Sequence, residues 1–476
     1  MRQRKKTMEQ TDFYCMRHRI GPLNHELTHT HVPLALMVYA TTTASFLATS
    51  AEAVSKRGVT MFATDLGSNA RLRRPVCRKT QISLVPELAD AIRLPAEQGD
   101  LPPRVADYIN THDLPSPCLV VDVDIVEHNY MSMTHALPLA RVYYAVKANP
   151  ADAIVTRLAE LGSSFDTASR GEIDLCLRLG VPPSRISFGN TIKKQADIAY
   201  AFTHGVRMYA FDSDEELEKI AASAPGSKVY CRILVECDGA EWPLSRKFGC
   251  DPEMALRLLT KARDLGLDPY GVSFHVGSQQ TDLAQWNRAV EQVAGLFDRA
   301  MQKGVNLRMV NLGGGFPSRY RVGVHPIEDY AAAVMEAMVH HFGTAFPEMV
   351  LEPGRSLVGD AGVIQTEVVL TSRKSDLDSK RWVFLDIGKF SGLAETMDES
   401  IKYRLLTDHD GSETGPVVLA GPTCDSADIL YEKTCYDLPL ALTAGDKVLI
   451  LSTGAYTTTY SSVNFNGFAP LASICI

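Results

Sequence analysis

The sequence predicts an α/β protein, a (β/α)8 barrel followed by an all-β domain, and three observations carry that expectation. Short apolar runs at 143–148, 163–168, 185–189, 206–211, 228–235, 269–276, 306–312 and 348–352 are separated by segments of helical spacing. So many strands alternating with helices fit a closed parallel barrel better than an open doubly wound sheet. Past residue 363 the texture changes to strand-like runs with no long helices between them. Finally, 476 residues, 45% hydrophobic and 22% charged, are enough for more than one core and exclude collagen-like, disordered and repeat classes.

Residues 1–95 read as a poorly structured extension. Residues 1–80 hold 13 Lys/Arg against 5 Asp/Glu, so they carry +8 and the remainder −16 of the net −8. Val32–Ala51 lacks formal charge, but Thr41, Thr42, Thr43, Ser45, Thr49 and Ser50 interrupt it, which weighs against an export signal or a membrane span. An upstream start codon, with Met61 as the true start, is the other alternative. Residues 96–122 form a lead-in. It ends in the strand Cys118–Asp122, which follows Pro115-Ser116-Pro117 and is expected to join the β domain, with the barrel as the alternative.

The barrel is expected over 123–363. Asp152–Leu161 places Ile154, Val155, Leu158 and Leu161 on one helix face, and Met254–Leu265 does the same with Leu256, Leu258, Leu259 and Ala262. Ser213-x-x-Glu216 reads as a capping box. The β domain, 364–476, should include strands near Gly362–Thr371, Arg381–Ile387, Val417–Ala420 and Lys447–Ser452. An acidic chain gives no reason to expect nucleic acid. Ten scattered cysteines without a C-x-x-C pair point away from zinc or a disulfide framework and toward a cytoplasmic enzyme with reduced thiols.

A barrel builds its chemistry at the C-terminal ends of its strands. Those ends read Lys147, Asp166, Asn190, Asp212, Arg232, His275, Gly313-Gly314-Gly315 and Glu352-Pro353-Gly354-Arg355. A lysine whose pKa is lowered by burial suits Schiff-base formation, although it could equally pair with a carboxylate. The glycine run exposes backbone N–H groups, and Arg355 offers a cationic fork where barrels hold phosphate. Together they point to pyridoxal phosphate, with Glu352 as partner of the ring nitrogen and His275 stacked on the ring. The plainer alternatives are a flexible turn for the glycines and a satisfied core histidine for His275. Asp166 and Glu172 would steer Lys147 or Arg232, or merely cap helices.

The runs Ala145–Asn149, Phe165–Ser169, His275–Ser278, Gly313–Phe316 and Glu352–Arg355 resemble the alanine-racemase-type (fold type III) pyridoxal-phosphate decarboxylases. Gly421–Ser426, Ala455-Tyr456 and Phe465–Phe468 are similar to eukaryotic-type ornithine decarboxylase and its bacterial lysine/ornithine relatives, and the match spans 115–476. The resemblance implies that Lys147 binds the cofactor aldehyde. It puts Ser278, Gly315, Arg355 and Tyr456 at the phosphate and Glu352 at the ring nitrogen, with Gly313, Gly314, Asp166, Arg232 and His275 as further cofactor contacts and His275 also catalytic. Cys424 becomes the proton donor and Asp425 the ligand of the substrate's distal amine. The family places these two in the partner subunit's site, making a homodimer, with Lys247 and Asp428 pairing across it.

Two departures stand out. Asp386–Glu399 stands where the animal enzymes carry a Tyr-Asp pair, with Glu399 opposite that acid and Asp398 as the alternative. This form resembles the short bacterial lysine/ornithine decarboxylases. The N-terminal extension has no counterpart. The substrate implied is a basic amino acid, foremost L-ornithine giving putrescine, with lysine and arginine left open. Diaminopimelate decarboxylase is a rival, but Cys424-Asp425-Ser426 presents an acid where a second substrate carboxylate would want arginines. A catalytically dead regulatory binding protein is the other.

Overall fold

The computed structural model describes residues 101–242, 247–344 and 346–476. The expected 1–95 extension and the start of the lead-in lie outside them. Helix α1 (Pro103–Thr111) leads to strand β1 (Cys118–Val121) and helix α2 (Val123–Ala136). Then come β2 (Ala140–Ala145), α3 (Asp152–Glu160), β3 (Ser164–Thr167), α4 (Arg170–Arg178), β4 (Ile186–Phe188), α5 (Gln195–Thr203), β5 (Met208–Phe211), α6 (Asp214–Ser223) and β6 (Lys228–Arg232). After the short β7 (Ala240–Trp242) follow α7 (Pro252–Asp264), β8 (Asp268–Ser273), β9 (Ser278–Gln280), α8 (Ala284–Gln302), β10 (Met309–Asn311), α9 (Ile327–Phe342), β11 (Glu348–Leu351) and α10 (Arg355–Val358).

Among the described residues β2, β3, β4, β5, β6, β8, β10 and β11 close into a parallel barrel. Met349 lies opposite Ala140, where the last strand returns to the first. Each apolar run expected from the sequence lies over one of these strands. Their inward side chains Tyr143, Ala210, Tyr230, Met309 and Val350 form a separate buried cluster that fills the bore. The capping box forms by half. Ser213 Oγ accepts from Glu216 N at 3.3 Å, but the Glu216 carboxylate turns instead to Lys193 Nζ at 3.0 Å. That ion pair is buried, with Lys193 Nζ also donating to Asn190 O and Ala210 O, and it pins the loop after β4.

The β domain comprises β12 (Gly362–Ser372), β13 (Arg381–Leu385), β14 (Leu405–Thr407), β15 (Thr414–Ala420), β16 (Ile429–Pro439), β17 (Lys447–Leu451) and β18 (Ala472–Cys475). Its strands run in the order β14-β17-β12-β13-β15-β16. β1 joins this sheet, antiparallel to β12 and parallel to β18. The sequence pattern missed β14, β16 and β18. In β16, Glu432, Lys433 and Asp437 break the apolar run, and only pairing with β15 reveals the strand. Leu119 and Val121 of β1 share one continuous core with Val126, Tyr130 and Met133 of α2 and with the outer face of the barrel. Each large side chain buried there contributes about 1.5–3 kcal/mol. No described helix is long and apolar enough to cross a membrane.

Candidate active site

Lys147 sits in one 3-10 turn, Val146–Ala148, that ends β2. Three contacts hold this turn. Tyr144 OH donates to Asn149 O at 2.8 Å, Asn149 Nδ2 donates to Gly454 O at 2.8 Å, and Tyr456 N donates to Ala148 O at 2.8 Å. The Lys147 side chain is 47% exposed and its Nζ lies 3.0 Å from Asp166 Oδ2. Desolvation pulls the lysine pKa down, but Asp166, then Tyr456 and Glu352, raise it by more, so the ammonium is held well above its ordinary range. The lowering expected of a buried lysine does not occur, because the side chain is half exposed and the acid beside its amine sets the sign. Asp166 is itself buried, and its Oδ1 has no hydrogen-bond partner among the described residues. Glu172 is close enough to feel both charges but bonds elsewhere. It accepts from Ala168 N at 2.6 Å, the helix-terminus role that was the plainer alternative.

Glu352 ends β11 and accepts from Asn311 Nδ2 at 2.5 Å. Burial, then the Asp166 charge, pushes its pKa up to about 7, against the pull of Lys147. His275 follows β8. Its Nδ1 accepts from Gly277 N at 3.0 Å, which leaves the proton on Nε2. Burial, followed by the charges of Arg232 and Lys147, lowers its pKa to about 3, so the ring is neutral at any working pH. Arg232, at the end of β6, lies 5.7 Å from the Phe248 ring centroid.

Across the mouth, Gly313 and Gly315 adopt φ of +68° and +97°, a conformation that disfavours other residues. A Cβ at Gly313, Gly314 or Gly315 would meet Phe274 O, Glu352 O or Gly277 O at 2.3, 2.6 and 2.6 Å. The loop therefore has to be bare backbone. Beside it Arg355, 3% exposed, donates from Nε and Nη2 to Ser278 Oγ at 3.3 and 3.2 Å. The Tyr456 ring centroid is 5.0 Å from the Arg355 guanidinium carbon. A bare-backbone loop, a buried arginine, a serine and a tyrosine suit a phosphate. A lysine suits an aldehyde, and two carboxylates, Glu352 and Asp166 with its orphaned Oδ1, suit a polar ring. These residues fit pyridoxal phosphate.

Other expected site residues lie apart. Cys424 and Asp425 are exposed, held by Cys424 N donating to Asn466 Oδ1 at 3.1 Å and Ala427 N donating to Asp425 Oδ1 at 2.8 Å. Asp398 is exposed. Glu399 accepts from the backbone N of Glu432, Lys433 and Thr434 at 2.8, 2.8 and 2.6 Å. Among the described residues no hydrogen bond or ion pair joins these four to Lys147. Asp428 is buried in its own chain, accepting from Lys389 N and from Thr423 N and Oγ1, while Lys247 is exposed. Three polar residues escaped the sequence reading: Asn311, Tyr320 and Glu395. Asn311 was legible as the polar end of an apolar strand. Glu395 and Tyr320, which both bind Arg355, had no local signal.

The family described as pyridoxal-dependent decarboxylase, pyridoxal binding domain, matches residues 123–359. A lysine/ornithine decarboxylase of Selenomonas ruminantium is 37% identical over 75% of this chain and 88% of its own length. Antizyme inhibitor 2 of Xenopus laevis is 31% identical over 78% of this chain and 83% of its own. The crystal structure of the Paramecium bursaria Chlorella virus arginine decarboxylase superposes with a TM-score of 0.71 at 29% identity, covering 78% of this chain and 99% of that one. With a lysine, a neutral histidine and a phosphate cradle gathered on one barrel rim, the chain belongs to the pyridoxal-dependent decarboxylases.

Proposed function

We propose that this enzyme decarboxylates a basic α-amino acid, L-ornithine foremost and L-lysine more slowly, as a homodimer whose two sites each draw on both chains. The observation that carries the reading is the intact rim: Lys147 paired with Asp166, Glu352 held by Asn311, and Arg355 beside the glycine loop. Asp425, and an acid at 398 or 399, are the groups suited to a distal ammonium.

When bound, pyridoxal phosphate supplies the electron sink for the pair left behind by departing carbon dioxide. Lys147 would hold its aldehyde end, Glu352 its ring nitrogen, and Ser278, Gly313, Gly314, Gly315, Arg355 and Tyr456 its phosphate. Lys147 Nζ is nucleophilic only after losing a proton, so the Asp166 charge, 3.0 Å away, sets the pH at which it can react. His275, neutral, lines the pocket without adding charge. The exposed Cys424 thiol of the partner chain delivers a proton to the substrate's α-carbon, and Asp425 beside it orients the far amine. Both are exposed in the single chain, as groups serving another subunit's site must be.

Carbon dioxide release from L-ornithine, L-lysine, L-arginine and meso-diaminopimelate, measured side by side, tests the substrate. Preference for meso-diaminopimelate would overturn the reading. A second reading, a regulatory protein without activity, is favoured only by the antizyme inhibitor relative. It predicts no yellow cofactor and no borohydride-fixed label on Lys147.

A further inference from the structure

Arg355 has two edges, and only one faces the cofactor site. Its Nε–Nη2 side meets Ser278 Oγ, next to the glycine loop. Its other end is gripped by a carboxylate: Nη1 donates to Glu395 Oε2 at 2.8 Å and Nη2 to Glu395 Oε1 at 2.5 Å, with Nη1 also donating to Tyr320 OH. Arg355 and Glu395 are 3% and 4% exposed, so this is a buried fork-on-fork ion pair between the barrel and the β domain. Glu395 belongs to the irregular segment Ala394–Glu399. That segment is fastened a second time by Glu399, which accepts from three backbone N–H groups of β16. Between the two anchors Met397 and Asp398 are left exposed, and Asp398 and Glu399 take the left-handed φ of +52° and +56°.

We infer that Glu395 is the positioning residue of the phosphate site: by holding one edge of Arg355 it aims the other at the cofactor phosphate, and it braces the turn that displays Asp398. The inference rests on the proposed cofactor chemistry and deepens it. A guanidinium has a fixed planar fork, so fixing one edge fixes the other, and a carboxylate is the group that can grip two N–H bonds at once. Without Glu395 the arginine would be free to turn toward Tyr320 and Ser278 in other poses, and its charge would stay but lose its aim.

The test is an absorbance titration of the cofactor-free enzyme with pyridoxal phosphate and, in parallel, with pyridoxal, which lacks the phosphate. Glu395→Gln should weaken pyridoxal phosphate about tenfold or more, the loss expected when one charge-assisted contact is misdirected. Pyridoxal binding should be unchanged, which also shows that the pocket is folded. Glu395→Asp, which keeps the charge, should recover part of the loss, and it serves as the variant to read if Glu395→Gln does not fold. Equal weakening for both ligands would mean general damage and would overturn the inference. So would unchanged or tighter binding of pyridoxal phosphate, because Glu395 would then be a bystander or a competitor of the phosphate. Wild-type enzyme that binds neither ligand would refute the cofactor reading itself, a result distinct from these.

Discussion

Gly189→Ala should retune the cofactor lysine without touching it. Gly189 follows β4, and a Cβ there would lie 1.8 Å from Asp166 Oδ1 and 2.9 Å from its Cγ. A non-bonded carbon and oxygen rest at about 3.3 Å, so the carboxylate must retreat by about 1.5 Å. Asp166 is buried on a strand, so side-chain rotation is its way out, and rotation breaks the 3.0 Å contact to Lys147. Overpacking of this kind costs about 1–3 kcal/mol of stability. Losing the charged contact should let Lys147 give up its proton more readily and move the pH midpoint for cofactor incorporation down by about one unit, a modest shift because Lys147 is 47% exposed. The assay is spectroscopic titration of the cofactor-free variant with pyridoxal phosphate across pH, together with its thermal unfolding. The sharper comparison adds Asp166→Ala and the double variant. Once Asp166 is gone, the next neighbour of the new methyl is Tyr230 OH at 3.1 Å, a contact that a small shift relieves, so the double variant should match Asp166→Ala. Additive shifts, or a Gly189→Ala protein with the wild-type midpoint, would refute the clash argument.

Asp166→Asn should lower the Lys147 pKa, since the Asp166 charge is the main influence raising it. The pH midpoint for cofactor incorporation, followed by absorbance, should then move down, and a midpoint unmoved or moved upward contradicts that. A chain starting near Gln98 should be soluble and should bind cofactor, as the described fold begins with α1 at Pro103; an insoluble or colourless product would make the extension part of the fold. Lys147→Ala and Cys424→Ala, each nearly inactive alone, should complement when mixed. With random exchange about half the dimers are mixed, each with one intact site of two, so about a quarter of wild-type activity returns. No recovery despite verified exchange would place both residues in one chain's site.

The barrel was legible because each of its strands is a short apolar run between helices, and a closed parallel sheet wants nothing else from its sequence. The β domain was harder to read for the opposite reason. Its strands are half exposed, and their pattern depends on partners: Leu405–Thr407 is a strand only because Lys447–Leu451 lies against it, and Ala472–Cys475 only because Cys118–Val121 returns from the other end of the chain. A one-dimensional pattern does not contain those pairings. β1 shows the same limit, since its four buried residues suit a barrel stave and a sheet edge alike.

Legibility of the site divides along the same line. Lys147, His275, Glu352 and Arg355 each end a strand or open the loop after one, so the rim rule of the barrel places them from sequence position alone. Glu395 obeys no such rule. It reaches Arg355 from a domain whose course the pattern did not show, and within Leu393-Ala394-Glu395 it is simply one more acid on a short turn. The Lys147 pKa fails for a related cause. Burial alone argues for a lowered value, but the sign is decided by which groups share the burial, and Asp166, 19 positions away in sequence, outweighs it from the neighbouring strand. Both cases have one physical root. A strand end fixes where a side chain starts, whereas its charge state and aim are set by the residues the fold delivers to it, and those come from elsewhere in the chain.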